Sequence, residues 1–168
     1  MTDKRASQKY TLLIGSISAY WSVTEYMCDQ ALSILLRIDA DLCRCISSHV
    51  VDFHKRLDIL RSVANRALED EGLLEEFLEV VEKIAAASRE RDNVLNSVWF
   101  NLGYEDFVDT KYSFESGGRP ILGSTKYKPP ALERILEQTK EATEALTTFL
   151  TERLGMSPVS PGIIIESS

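Results

Sequence analysis

Apolar residues recur at intervals of three and four positions along most of the chain, which is the period of an amphipathic α-helix. The stretches with this period predict four helices, over about 11–38, 47–68, 73–99 and 129–155. Asp39-Ala40-Asp41 predicts a break after the first helix, and the acidic link 69–72 contains a glycine typical of a turn. Pro129-Pro130 suits the first turn of the last helix, and Gly155 suits its C-terminal cap.

The helical period stops between residues 101 and 128. Residues 109–115 alternate between polar and apolar, Ser116-Gly117-Gly118 is typical of a turn, and 119–128 is compatible with a strand that Pro120 limits to a sheet edge. Amphipathic helices with one apolar stripe each pack as a bundle. The fold class is therefore mainly all-α: a bundle of four main helices with a small hairpin or extended insert between the third and fourth.

The 168 residues suit one domain with one core, expected over 11–155, between a flexible N-terminus (1–10) and a flexible tail (156–168). We find no apolar run of the ~18 or more residues that a membrane span needs. The apolar stretch 11–19 is interrupted by Gly15, Ser16 and Ser18, which indicates the start of a helix and not a signal peptide. We therefore expect a cytoplasmic protein without a membrane partner.

Charge lowers the expectation of a nucleic-acid partner without excluding a local RNA site. The formal net charge is -7, and residues 69–82 contain seven acids and no base. Such a face repels phosphate, whereas nucleic-acid binding uses clustered basic residues. A hard cation could bind the acidic run, although a solvated helix face is the commoner explanation.

The cysteines do not form the pattern of a disulfide framework or a metal site. Cys28, Cys43 and Cys45 are odd in number and irregularly spaced. Cys45 and His49 are four residues apart and could supply two ligands from one helix, but no second pair is visible. We interpret the thiols as small buried hydrophobes and expect no metal and no cofactor.

Arg91 is the anomaly of the third helix, because it occupies a position of the apolar stripe. Buried arginine is rare unless it is paired. Asp92 is adjacent on the same helix and poorly placed, so we expect the partner of Arg91 to come from another helix or another chain.

The residues around Arg91 resemble the signature of the HEPN superfamily of small bacterial helical proteins. In that signature an arginine and a polar residue precede a histidine, which a small residue and an aromatic follow. Arg91, Asp92, Ser97 and Trp99 match these positions, and Asn96 stands in place of the histidine, giving Arg-x4-Asn instead of Arg-x4-His. The layout of helices over about 11–154, with its hairpin-like insert, is similar too.

The resemblance implies a metal-independent ribonuclease, or a relative that has lost this activity. A ribose 2′-hydroxyl would attack the adjacent phosphate, with histidine as base and Arg91 stabilising the developing charge. Asn96 cannot act as the base, and His54 is the plausible substitute. We therefore expect a noncatalytic HEPN-like module that binds a partner protein or a nucleic acid. One alternative is an active ribonuclease of a toxin–antitoxin or phage-defence type, and another is a structural interaction domain unrelated to RNA.

The spacing of the motif also bears on assembly. Arg91 and Asn96 are five residues apart, so on a straight helix they point about 140° away from each other. They converge only at a kink or across a two-fold axis, and the resemblance implies a site at a dimer interface. The broad stripe of the first helix, which includes Tyr20 and Trp21, leaves apolar surface for a second copy. We therefore expect a homodimer.

Overall fold

Three aspartates each begin a helix of this chain by accepting hydrogen bonds from the backbone of its first turn. The computed structural model describes residues 4–96, 98–100, 107–114 and 120–157, with side chains described over 8–96 and 127–157. Asp39 accepts from the amides of residues 41 and 42, Asp52 from those of 54 and 55, and Asp70 from that of 73. Aspartate is a preferred N-cap because its carboxylate satisfies amides that lack a partner within the helix.

The chain is mainly α-helical. The described elements are, in chain order, α1 (Lys4–Leu36), α2 (Ala40–Ser47), α3 (Phe53–Ala67), α4 (Glu71–Leu95), β1 (Val98–Phe100), β2 (Phe107–Phe114), β3 (Pro120–Tyr127) and α5 (Pro129–Thr148). A π-helical turn, Phe149–Arg153, extends α5. Helix α1 packs against each of the other helices, and α4 also packs against α3 and α5.

The strands lie between α4 and α5 and form an antiparallel sheet in the order β1-β2-β3. Trp99 is paired with Asp109, and Phe107 with Tyr127. Pro120 is the first residue of β3, an edge strand of the sheet, which is a position where proline is tolerated. The predicted turn at Ser116-Gly117-Gly118 and the tail from 158 onward lie outside the described residues.

Several predicted helix boundaries are wrong. Helix α1 begins at Lys4, well before the predicted start at Thr11, and it buries Tyr10. The helix predicted over 47–68 begins only at Phe53, where Asp52 caps α3, and residues 40–47 form a separate helix, α2, that was not predicted. The helix predicted to reach Trp99 ends at Leu95, since the β-favouring residues 98–100 pair with β2 instead.

The apolar stripes of the helices meet in a core that includes Trp21, Leu57, Phe77 and Leu146. A smaller cluster at the sheet end joins Tyr10, Ile17, Val94, Leu132 and Ile135, and the hydroxyl of Tyr10 donates to the carbonyl of Tyr127 at 3.3 Å. The burial of these stripes confirms the mainly α-helical bundle. Tyr20 is 40% exposed and Trp21 is 1% exposed, so of these two residues only Tyr20 leaves apolar surface on α1.

Two helices end at a residue in the left-handed backbone conformation, which is a glycine in one case and an arginine in the other. Gly155 has φ 69° and follows the π-helical turn, as expected for a glycine cap. Arg37 has φ 56° at the end of α1, where the amide of Ile38 donates to the carbonyl of Ser33 at 3.1 Å. Glycine adopts this conformation without steric cost, whereas arginine does not.

Candidate functional site

Arg91 lies near the C-terminal end of α4 and stacks on a tryptophan of α1. Its guanidinium carbon is 5.2 Å from the centroid of the Trp21 ring, and its side chain is 24% exposed. Nη1 donates a hydrogen bond of 2.6 Å to Oδ1 of Asp92. The positive charge is therefore placed over an aromatic face and paired with a carboxylate, two interactions that stabilise a partly buried arginine.

The prediction that another helix or chain supplies the partner of Arg91 is wrong. Asp92 is the partner, although adjacent residues on a helix point in different directions. The arginine side chain is long enough to place its guanidinium over Trp21 and still return one nitrogen to the neighbouring carboxylate. Helix spacing predicts the direction in which a side chain leaves the backbone. It does not predict the position of the terminal atoms of a long side chain such as that of arginine.

Trp21 anchors the site. Its side chain is 1% exposed, and its Nε1 donates to Oε1 of Glu25 at 2.9 Å. Phe53, the first residue of α3, meets the Trp21 ring edge-on with the centroids 4.7 Å apart. An edge-to-face contact of this kind is favourable because the ring edge is positive and the ring face is negative.

A second arginine lies on the other side of this aromatic pair. The guanidinium carbon of Arg56 is 5.5 Å from the centroid of the Phe53 ring, and its Nη2 is 3.9 Å from Oε1 of Glu25. Arg91 and Arg56 thus bracket Trp21 and Phe53, and each has a carboxylate neighbour. We call Trp21, Glu25, Phe53, Arg56, Arg91 and Asp92 the arginine–aromatic cluster.

Several polar atoms in the interior lack a hydrogen-bond partner within the described part of the chain. They are Nε of Arg56, Nε of Arg91, Oδ1 of Asp29 and Oγ of Ser88. Buried polar groups are usually satisfied, so these atoms are unusual. The two Nε–H groups leave each arginine of the cluster with one further donor.

Cys28 is buried, and charged residues of the cluster affect the pKa of its thiol. The pKa of the Cys28 thiol is raised to about 12, chiefly because burial deprives the thiolate of its hydration; the negative charges of Asp29 and Glu25 act in the same direction, and Arg56 acts against them. Cys28 is therefore an inert thiol. Cys43 is also buried, but Cys45 is exposed, so the prediction of three buried thiols is wrong for Cys45.

Asn96 and the histidines do not join the cluster. Asn96 is the exposed C-cap residue of α4, and its amide donates to the carbonyl of Asp92 at 3.1 Å. His54 is exposed in the first turn of α3, where its amide is capped by Asp52. His49 is exposed and its Nδ1 lies 2.7 Å from the carbonyl oxygen of Cys45. No hydrogen bond or ion pair joins these side chains to Arg91 within the described residues.

Trp99, the aromatic position of the motif, is separated from the helix of Arg91. Trp99 belongs to β1, where its backbone pairs with Asp109, so it does not continue the helix of Arg91 as predicted. Ser97 lies outside the described residues. The structure thus brings Arg91 and Asp92 together, and among the described side chains no hydrogen bond or ion pair joins either of them to the side chain of Asn96 or His54.

Sequence reasoning missed most of the cluster. Arg56 lies outside the apolar period of its helix, yet its side chain is only 18% exposed. Glu25 likewise lies outside the apolar stripe of α1. The sequence feature that could have identified Glu25 is its spacing of four residues from Trp21, which places its carboxylate beside the indole N–H.

A separate apolar surface surrounds α2. Its members are the exposed side chains of Leu36, Leu42, Ile46, Val51 and Ile59, which we call the α2 surface. Val51 is 90% exposed. Leu36, Ile46 and Ile59 also line a small cavity of about 60 Å³ with the buried Cys43.

The described residues contain no group of three or more potential metal ligands and no helix long and apolar enough to cross a membrane. No protein-family model, curated protein or solved structure matches the chain. The function is therefore argued from the geometry of the site.

Proposed function

We propose that this chain is a noncatalytic HEPN-like helical module that binds a partner protein. The observation that carries the proposal is the state of Arg91, whose guanidinium pairs with Asp92 and stacks on Trp21. In this arrangement the motif arginine stabilises the contact between α4 and α1. Its charge is already neutralised by Asp92, which weakens any interaction with a reacting phosphate.

The surroundings of Arg91 also disfavour catalysis. Attack by a ribose hydroxyl needs a proton acceptor that titrates near neutral pH. Asn96 has no such group, and His54 lies exposed on α3 without a contact to Arg91 among the described residues. Loss of a general base typically lowers the rate about 10²- to 10⁴-fold.

Two observations favour a protein partner over a nucleic acid. The net charge of -7 opposes association with a polyanion. The α2 surface exposes large apolar side chains from α1, α2, α3 and the link between α2 and α3. Contiguous exposed apolar residues are typical of protein-binding sites. The proposal includes a homodimer and a cytoplasmic location, where the free thiols would stay reduced.

Titration of fluorescently labelled single-stranded RNA tests the choice of partner. We expect no saturable binding between about 50 and 200 mM salt, because the net charge of -7 opposes association with a polyanion. Saturable binding that weakens with salt and is lost in Arg56→Ala and Arg91→Ala, but not in the exposed control Arg89→Ala, would contradict the proposal. That result would make the arginine–aromatic cluster a phosphate-binding site.

A further inference from the structure

The outer side of α4 carries a row of carboxylates beside an apolar strip. Glu71, Glu75 and Glu79 are exposed and four residues apart, so they form one row along the helix. With Leu74, Leu78 and Ala86 they line a shallow depression of about 690 Å³, which Glu82 and Lys83 complete. We call this surface the acidic face.

The acidic face is only partly neutralised within the chain. Glu82 pairs with Arg61 at 2.8 Å and Lys83 lies among the carboxylates, but Glu71, Glu75 and Glu79 form no ion pair with any residue that the structure describes. Like charges four residues apart on a helix repel each other. A positively charged neighbour would remove this repulsion.

A groove of opposite character lies between the end of α1 and α3. Leu36, Ile59 and Val63 provide its apolar lining, and Arg37 and Arg66 are exposed along it without an ion pair to a described residue. Its volume is about 730 Å³. The acids that line it are Asp58, which Arg61 neutralises at 2.8 Å, and Glu69. We call this surface the basic groove.

The position of Arg37 supports a role for the groove. Arg37 has φ 56° at a helix end where glycine would relieve the steric cost. The chain nevertheless places a long basic side chain there, next to the exposed Leu36. A charged side chain that makes no ion pair with the described residues is available to a partner.

We propose that the acidic face of one copy of this chain docks in the basic groove of a second copy. The two surfaces have opposite unpaired charges and apolar centres, so they are complementary in both respects. This inference rests on the proposed role as a partner-binding module and names the partner. It places the interface on α4, α3 and the end of α1, away from the arginine–aromatic cluster.

The position of the two surfaces permits a closed dimer. They meet at the short link between α3 and α4, where Glu69 lines the basic groove and Glu71 lines the acidic face. A two-fold axis near this link places each acidic face opposite the other copy's groove, which forms the contact twice. A stable dimer buries about 1,600 Å² in total, so each of the two contacts would have to supply roughly half.

Charge reversal on each surface tests the interface. The acid-reversed variant carries Glu75→Arg and Glu79→Arg, and the base-reversed variant carries Arg37→Glu and Arg66→Glu. By light scattering we expect wild type at twice 18.9 kDa and each variant at 18.9 kDa. Each reversal places like charges together in both contacts, and we expect at least about a tenfold weaker dimer.

An equimolar mixture of the two variants is the decisive sample. In the mixed dimer, the reversed acidic face of one variant meets the reversed groove of the other, and the two unchanged surfaces meet in the second contact. Opposite charges therefore face each other in both contacts, and the dimer should form again. The reversed positions are exposed on helices or at a helix end, and circular dichroism should confirm that the fold is retained. If a reversal unfolds the chain, the corresponding glutamine variants should still weaken the dimer about tenfold.

A monomeric wild type across the micromolar range would overturn this inference, as would a dimer that persists in both variants. A mixture that stays monomeric while wild type dimerises would also overturn it. RNA cleavage and binding, measured on the same samples, test the proposed noncatalytic role separately. Failure of the dimer is therefore distinguishable from failure of that role.

Discussion

Nη1 of Arg91 lies 2.6 Å from Oδ1 of Asp92, the next residue along α4. The same guanidinium stacks on Trp21 of α1, so one side chain joins two helices and a carboxylate. Both residues are partly buried, at 24% and 34% exposure of the side chain. The pair therefore belongs to the packing of the bundle, and its energetic contribution can be measured.

Replacement of Arg91 by alanine should destabilise the fold. The variant loses the contact with Trp21 and leaves Asp92 without its partner, which together should cost about 1–2 kcal/mol. Urea unfolding followed by circular dichroism measures this change. Arg89→Ala, two residues earlier and exposed, should stay within about 0.5 kcal/mol of wild type. Equal effects of the two substitutions would contradict the structural role of Arg91.

The hydroxyls of Thr24 and Thr143 should be energetically coupled. Their Oγ1 atoms are 2.7 Å apart between α1 and α5, and both residues are buried. Thr24→Val and Thr143→Val should each cost about 1 kcal/mol, and the double variant should cost at least about 0.5 kcal/mol less than the sum. The control Thr147→Val removes only a bond to the carbonyl of Thr143 in its own helix. Additive losses would show that the hydroxyl pair does not form.

Stability should fall at alkaline pH because of Cys28. Its pKa is about 12 in the folded chain against an ordinary value of 9.0, so the folded state keeps a proton that the unfolded state releases. This contribution is fully present below about pH 9 and is lost as pH rises toward 12. Between about pH 8 and 10, wild type should lose about 1 kcal/mol more than Cys28→Ala. Cys45→Ala should behave as wild type, and a decline that also persists in Cys28→Ala would exclude this thiol as the cause.

Substitutions at the two left-handed helix ends, Arg37 and Gly155, should change the stability of the fold in opposite directions. Arg37→Gly should stabilise the fold by about 0.5–1 kcal/mol, and Gly155→Ala should destabilise it by about 1 kcal/mol. Arg37→Ala is the matched control, because it removes the charge and keeps a Cβ at φ 56°. Thermal unfolding measures all three. An equal gain in Arg37→Ala would assign the effect to the charge instead of the backbone.

The helical stripes could be predicted from the sequence because burial follows their period. Ile17, Phe77, Val81 and Ile135 were expected on apolar faces and are buried. The start of α3 at Phe53 instead of about residue 47 could not be predicted from the period, since apolar positions continue through the link that precedes it. There the cap formed by Asp52 decides the boundary, and a cap is a local hydrogen bond that hydrophobic spacing does not report.

The candidate site was predictable only in part. Arg91 was identified because a charge in an apolar stripe is conspicuous. Its contact with Trp21 and the contribution of Arg56 depend on how α1, α3 and α4 pack, and long side chains reach across those interfaces. Helix spacing therefore identified the unusual residue without identifying its neighbours.

The most direct test of the noncatalytic account is an RNA cleavage assay. Purified wild-type protein is incubated with labelled single-stranded RNA and a chelator, and the products are analysed for 2′,3′-cyclic phosphate ends. The account predicts no cleavage above background, in wild type and in Arg91→Ala alike, because Arg91 is held by Asp92 and Trp21 and no described base contacts it. Products that form with wild type and vanish in Arg91→Ala would contradict it.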